Sequence, residues 1–298
     1  MNSIIKNLMK KGIVKGKSQL LTDSEIKELE KLILKNKDKH PKKEGKVSQN
    51  IIGIDQRIDE LLEKIITNPE VHDTLEKVLG KNFLIRQIIA RFNEPTDKGL
   101  TLHQDAPGET SLLVLVNNQP EGSTVFFPGS QLIPSEKHTA AKVSWNSLKL
   151  IKITKYFLMS AIGNAGNYYY FLHRTWHCRT PGKNDGTNIS LFFNMFPVSA
   201  KRKEFVHESA YNSMINWEFV KQPHLKKMIS RKNYQSAIDA FEKDADKTYS
   251  LSMKTNTYNQ ISKNKLYFTF MILKILLLET IFFPITVKRY IKNLIKVK

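Results

Sequence analysis

Between residues 81 and 197 the chain is a succession of short runs rich in β-branched and aromatic residues. They read "FLIRQIIARF", "SLLVLV", "STVFFPG", "NYYYFLHRTWH" and "NISLFFNMF", and Gly, Pro and Asn part them. No helical periodicity alternates with these runs, which argues against βαβ units and a parallel sheet. Many short strands broken by turn residues predict an antiparallel sandwich or jelly roll instead. Everything else in the chain has to be placed around that core.

The first 80 residues have a different texture. "TDSEIKELEKLILKNKDK" opens with Thr22, Asp23 and Ser24 as capping residues and then repeats Ile26, Leu29, Leu32 and Ile33 at helical spacing. "PKKEGKVSQ" reads as a loop. "DQRIDELLEKIIT" and "NPEVHDTLEKVLG" follow as amphipathic helices, the second with Asn68 as its cap, Pro69 in its first turn and Gly80 as its stop. The expected organisation is therefore a helical region over 1–80, a β core over 81–200, a polar helical extension over 201–262 and a last segment over 263–298.

That last segment is apolar and then basic. "LYFTFMILKILLLETIFFPITV", Leu266 to Val287, is about long enough for a bilayer, but it contains Lys274, Glu279 and Pro284. Each charge costs roughly 2.5–3.5 kcal/mol at a helix centre, against about 0.3–0.6 gained per large apolar residue, so the sum lies near zero. The following "KRYIKNLIKVK" is a basic amphipathic tail suited to anionic lipid. A membrane-surface anchor is the preferred reading, with a helix buried against the domain as the alternative.

The formal net charge of the 298 residues is +19, with lysine concentrated in both flanks. No RNP, zinc-finger or helix-turn-helix signature accompanies that charge, so nucleic acid is not the expected partner. An anionic membrane surface or an anionic substrate is. Cys178 is the single cysteine, which excludes a disulfide or a thiolate zinc site within the chain. "MNSIIKNLMKKGIVKGK" lacks the apolar core of a signal peptide. The expected compartment is the cytoplasm, with peripheral or C-terminal attachment to a membrane.

Candidate chemistry centres on "TLHQDAPGE". His103 and Asp105 are two residues apart at the end of a predicted strand, where side chains at i and i+2 project together. A metal would need a third ligand. Several histidines are set aside, His40 and His224 in polar, basic contexts, His72 on a helix and His138 in a loop, and the candidates are His173 and His177 in "YYYFLHRTWHCRTPG". These two are four residues apart and would share a strand face, so spacing does not choose between them. His177 is favoured by its place at the strand end. Two histidines and one carboxylate make the facial triad of non-haem Fe(II) oxygenases, which leaves three coordination positions open.

From Asn68 to Pro197 the chain resembles the phytanoyl-CoA dioxygenase family of Fe(II)/2-oxoglutarate oxygenases. "NPEVHDTLEKVLG" is similar to the family's pre-core helix, "LHQD" to its first two iron ligands, "EGSTVFFPGSQ" to its Gly-to-Pro-Gly-Ser strand and turn, and "GNAGNYYYFLHRTWHC" to the strand of its last ligand, here His177. The resemblance implies a double-stranded β-helix with flanking helices, Fe(II) held by His103, Asp105 and His177, and 2-oxoglutarate as cosubstrate. It also implies hydroxylation of a C–H bond coupled to decarboxylation of 2-oxoglutarate. One departure stands out. The family's arginine for the distal carboxylate of 2-oxoglutarate falls on Asn188, which cannot form a charged bidentate clamp. Arg179, two residues after His177, and then Arg91 are the expected substitutes, and the resemblance places Gln104 near the cosubstrate. Trp176, Tyr168 and Tyr170 read as core or pocket wall, and Cys178 as a small buried residue.

The expected function is thus an iron- and 2-oxoglutarate-dependent hydroxylase acting near a membrane on a small or lipid-linked anionic substrate. The rivals are an inactive oxygenase fold serving as a binding scaffold and a cupin-type metal enzyme that uses no 2-oxoglutarate.

Overall fold

In the computed structural model, residues 3–37, 48–97, 99–105, 109–132, 139–140, 158–182, 186–197 and 219–229 are described. The apolar stretch at 266–287 and the basic tail after it lie outside them. Among the described residues, no helix is long and apolar enough to cross a membrane.

The elements in chain order are α1 (Ser3–Lys11), β1 (Ile13–Lys15), α2 (Asp23–Asn36), β2 (Ser48–Asn50), α3 (Gln56–Thr67) and α4 (Pro69–Leu79). The β core follows as β3 (Leu84–Asn93), β4 (Leu100–Gln104), β5 (Thr110–Leu115), β6 (Thr124–Phe126), β7 (Thr139–Ala140), β8 (Met159–Ser160), β9 (Tyr168–Leu172), β10 (His177–Arg179) and β11 (Asn188–Phe196), with α5 (Pro223–Ile229) after it. Two antiparallel sheets result, one ordered β1-β9-β5-β11-β3-β2 and the other β7-β4-β10-β6-β8. This is the jelly-roll class that the short runs predict.

The helices start where their sequences say they should. Thr22 and Glu25 form a reciprocal capping box on α2, and Asn68 caps α4 with Pro69 in its first turn. Gly80 ends α4 at φ 89°, a left-handed conformation that glycine adopts without strain.

The six-stranded sheet is buried on both faces, and its two-residue period separates two cores. Leu112, Val114, Tyr168, Tyr170, Leu191 and Phe193 pack outward with Leu29, Leu62 and Leu75 of the helices. Leu113, Leu115, Tyr169, Phe171 and Phe192 point the other way and join Phe126 of the second sheet inside the barrel. A strand flanked this way reads as a continuous apolar run, which is why "SLLVLV" and "NISLFF" show little alternation.

The N-terminal region is not wholly helical. Gly12, at φ 75°, terminates α1, and the β-branched pair Ile13–Val14 then extends along β9 as an edge strand. Ser48–Asn50, its first two residues expected as loop, pairs with Arg91, Ala90 and Ile89 at the opposite edge. Both additions are three-residue strands, too short to announce themselves by periodicity.

Candidate metal centre

β10 lies between β4 and β6 in the smaller sheet, and the Cα of His177 faces that of His103. Paired residues of neighbouring strands project to the same side, so the register alone brings the two imidazoles together. Their ring centroids are 4.2 Å apart. The β4 register slips between His103 and Leu100, which face His177 and Arg179 respectively, so three steps on β4 match two on β10. A bulge of this kind re-aims side chains at a sheet rim.

Asp105 follows directly after β4. Its backbone N–H donates to His173 O at 3.0 Å, which ties the chain across to the end of β9. The carboxylate then sits 3.4 Å from His177 Nε2 and 3.9 Å from His103 Nε2. One ligand atom from each of His103, Asp105 and His177 lies within 4.8 Å of the others. Donors about 2.1 Å from one ion are separated by roughly 3–4 Å, so a small closing movement seats a metal. Burial disfavours ionisation of Asp105, but the hydrogen bond and charge of His177, with His173 and His103 behind it, hold the carboxyl well below the usual carboxylate range.

The imidazole of His177 is oriented for coordination. Its Nδ1 is 2.9 Å from the Thr175 carbonyl, so Nδ1 carries a proton, and Nε2 faces Asp105, where it would offer its lone pair to a metal that took the place of the proton shared with the carboxylate. The ring packs against Phe126 and Phe171, and His177 is buried.

His173 and His177 do not occupy one strand. β9 ends at Leu172, a turn closes with Thr175 N–H donating to Leu172 O, and β10 begins at His177 in the other sheet. The chain therefore crosses the barrel mouth between them, and both imidazoles reach the same volume from opposite sheets. His173 Nδ1 is 3.3 Å from Glu109 and 4.0 Å from Asp105, while Nε2 is 2.6 Å from Ser111 Oγ. Ser111 donates its own proton to Asn194, and Arg86 pairs with Glu109 at 3.0 Å. Both His173 nitrogens are thus engaged by protein, which makes it a buttress of Asp105. Glu109, Ser111, Asn194 and Arg86 carry no motif; only strand register brings them together.

Deeper in the barrel is a second polar cluster. Arg179, two residues beyond His177 on β10, is buried and holds Asp97 at 2.8 and 3.0 Å. Arg91 stacks its guanidinium 4.7 Å over the Phe192 ring, on the inner face of the large sheet. Burial, then the charge of Arg179, push the Arg91 guanidinium down to about 10, with Asp105 and Asp97 opposing, so it remains cationic at neutral pH. Asn188 opens β11 opposite Asn93. The Nε of Arg179 and both side-chain polar atoms of Asn93 are buried without a hydrogen-bond partner. Gln104 lies on β4 opposite Thr139, and its side chain is outside the described part. Cys178 is fully buried, and burial pushes its thiol up to about 12, which keeps it protonated and inert. Tyr168 and Tyr170 belong to the outer core, not to the barrel interior.

No family model matches the chain, and no curated protein matches it. Solved structures do. The epimerase SnoN, in complex with Fe3+, alpha ketoglutarate and nogalamycin RO, superposes with a TM-score of 0.52 at 15% identity, covering 66% of this chain and 83% of its own. The non-heme alpha ketoglutarate dependent carbocyclase SnoK from nogalamycin biosynthesis gives 0.51 at 15% identity, with coverages of 67% and 85%. EctD from S. alaskensis in its apoform gives 0.54 at 15% identity, with coverages of 69% and 80%. At that identity the likeness is one of fold, and the chain shares the fold on which the alpha ketoglutarate dependent proteins SnoN and SnoK are built.

Proposed function

We propose that the protein is an Fe(II)- and 2-oxoglutarate-dependent oxygenase that hydroxylates a C–H bond of a small or lipid-linked anionic substrate. The observation that carries this reading is the convergence of His103, Asp105 and His177 at one barrel mouth. Two imidazoles and one carboxylate bind iron by one face and leave three sites for cosubstrate and O2, whereas a structural zinc site closes all four of its positions. When bound, the iron and 2-oxoglutarate supply oxidation by O2: one oxygen atom enters the substrate as hydroxyl and the other enters succinate, with CO2 released.

The residues of this chain supply the rest. Asp105, held ionised, offsets one of the two positive charges of the metal. Phe126, Phe171 and Phe192 wall the inner side of the site and limit water there. The orphaned Nε–H of Arg179 and the orphaned Nδ2 of Asn93, with the Arg91 cation nearby, fit a buried carboxylate, because each of these donors then gains the acceptor it lacks. Arg91 takes the part of the arginine missing at Asn188: its Cα faces Ser190, two residues along β11 from Asn188, so both sit on the inner face.

The test is anaerobic addition of Fe(II) and 2-oxoglutarate to the purified protein, followed by visible absorption. A weak charge-transfer band that needs both additions and is absent in Asp105→Ala is the expected result. Fe(II) binding with no band, however much 2-oxoglutarate is added, would leave a metal enzyme that does not use 2-oxoglutarate.

A further inference from the structure

The N-terminal corner between α1 and β1 lies directly behind the turn that delivers His177. The Gly12 carbonyl accepts two hydrogen bonds from that turn, from Leu172 N–H at 2.9 Å and from Thr175 Oγ1 at 2.9 Å. Thr175 is fully buried, and its own carbonyl accepts from His177 Nδ1. A continuous chain of contacts thus runs from the backbone of residue 12, through both ends of one threonine, to the ring nitrogen opposite the coordinating one.

Other contacts fix the corner in place. Gly129 N–H donates to Lys11 O at 2.7 Å, and Gln131 Nε2 donates to Met9 O at 3.1 Å. From the same 127–131 turn, Ser130 Oγ accepts from Trp176 N–H at 2.8 Å, and Phe127 N–H donates to Trp176 O at 2.9 Å. Residue 12 has no room for a side chain. Its φ is 75°, and a Cβ there would lie 2.2 Å from Thr175 Oγ1.

We propose that the Gly12 corner is a working part of the metal centre and that Thr175 is a positioning residue, holding the His177 imidazole in the tautomer and orientation that coordinate. This rests on the metal role proposed for His177. The hydroxyl of Thr175 pins the peptide to Gly12, so the Thr175 carbonyl is aimed at Nδ1 before any metal arrives. Without that anchor the peptide can rotate, and the imidazole loses both the directing acceptor and the fixed protonation on Nδ1. Partners of this outer kind set metal affinity by roughly 10–100-fold.

The experiment titrates the full-length apo protein with Co(II) under anaerobic conditions, read by visible absorption, with circular dichroism melting of each apo protein alongside. Thr175→Val, which keeps shape and removes the hydroxyl, is expected to weaken Co(II) at least tenfold while still folded at the titration temperature. Thr175→Ser, which keeps the hydroxyl, is expected to stay within about threefold of the parent. Gly12→Ala displaces Oγ1 and is expected to follow the valine variant. In the Zn(II)-loaded parent, nitrogen-15 spectra should place the His177 proton on Nδ1 with slow exchange. Parent-like Co(II) affinity in folded Thr175→Val or Gly12→Ala overturns the proposal, as does equal loss in the serine and valine variants. A His177 proton on Nε2 overturns it without recourse to any variant. Failure of the parent protein to bind Co(II) would instead remove the metal reading itself.

Discussion

Arg179 and Arg91 are both buried cations, but their surroundings differ. Arg179 already holds a carboxylate, Asp97, through two contacts. Arg91 lies over the Phe192 ring on the inner face of the large sheet. On the function proposed above, both add positive charge where the distal carboxylate would lie, and Arg179 also offers its orphaned Nε. Arg91→Ala should weaken 2-oxoglutarate binding at least tenfold, equivalent to about 1.4 kcal/mol. Titration of the charge-transfer band reads this, with Fe(II) affinity little changed. Arg179→Ala should weaken it too, but with a lowered melting temperature, since it strands Asp97, buried and now unpaired. If Arg91→Ala binds 2-oxoglutarate like the parent, the carboxylate is held elsewhere. At this scale the sequence was informative about which side chains converge at the candidate metal site and poor about their partners. His103 and Asp105 are two residues apart and announce themselves. Glu109, Ser111 and Asn194 gather around His173 only through strand register, which spacing along the chain does not encode.

Elements were legible in proportion to the signals at their ends. α2 and α4 carry a capping box and an Asn-Pro start, and both begin where those residues stand. β1 and β2 are three residues long, and tertiary pairing alone makes them strands. The His173–His177 segment misled for a physical reason: no Gly or Pro marks the point where the backbone leaves one sheet and enters the other. One helix holds a testable strain. Asp59 in α3 is 1% exposed, and its Oδ1 accepts from Gly53 N–H at 3.0 Å. Burial, only partly offset by that hydrogen bond, raises its carboxyl from 3.8 to about 6. The folded state therefore holds this proton more tightly than the unfolded chain. The associated stability is fully present below about pH 3.8 and is lost as pH rises through 6. A rise of that size corresponds to about 3 kcal/mol. Asp59→Asn keeps the acceptor and removes the ionisation, so its melting temperature should exceed the parent's at pH 7 and match it near pH 4. A constant difference across that range would show that Asp59 is not the titrating group.

For the whole molecule, the short apolar runs made the jelly-roll class legible but not the strand order, because each buried strand looks alike in composition. The two sheets put His103, Asp105 and His177 at one rim, with the aromatic interior below them and the helices stacked on the far side of the large sheet. Charge is the remaining property of the whole chain. A net +19 attracts an anionic surface over a distance set by ionic strength, about 10 Å at 0.1 M salt. The sequence "KRYIKNLIKVK" behind an apolar stretch adds local contacts of about 1 kcal/mol per basic residue near such a surface. We therefore propose an anionic membrane as the partner that brings a lipid-linked substrate to the barrel. The full-length protein should sediment with vesicles containing phosphatidylserine and not with neutral phosphatidylcholine vesicles. Raising the salt to 0.5 M should release much of it, because screening acts on charge and leaves apolar insertion intact. Ending the chain at Lys263 should abolish sedimentation while leaving Co(II) binding unchanged, since the described metal-site residues all precede position 264. Equal sedimentation with neutral vesicles, unaffected by salt, would replace electrostatic docking with apolar insertion. No sedimentation with either would remove the membrane from the proposal and leave a small soluble anion as the substrate.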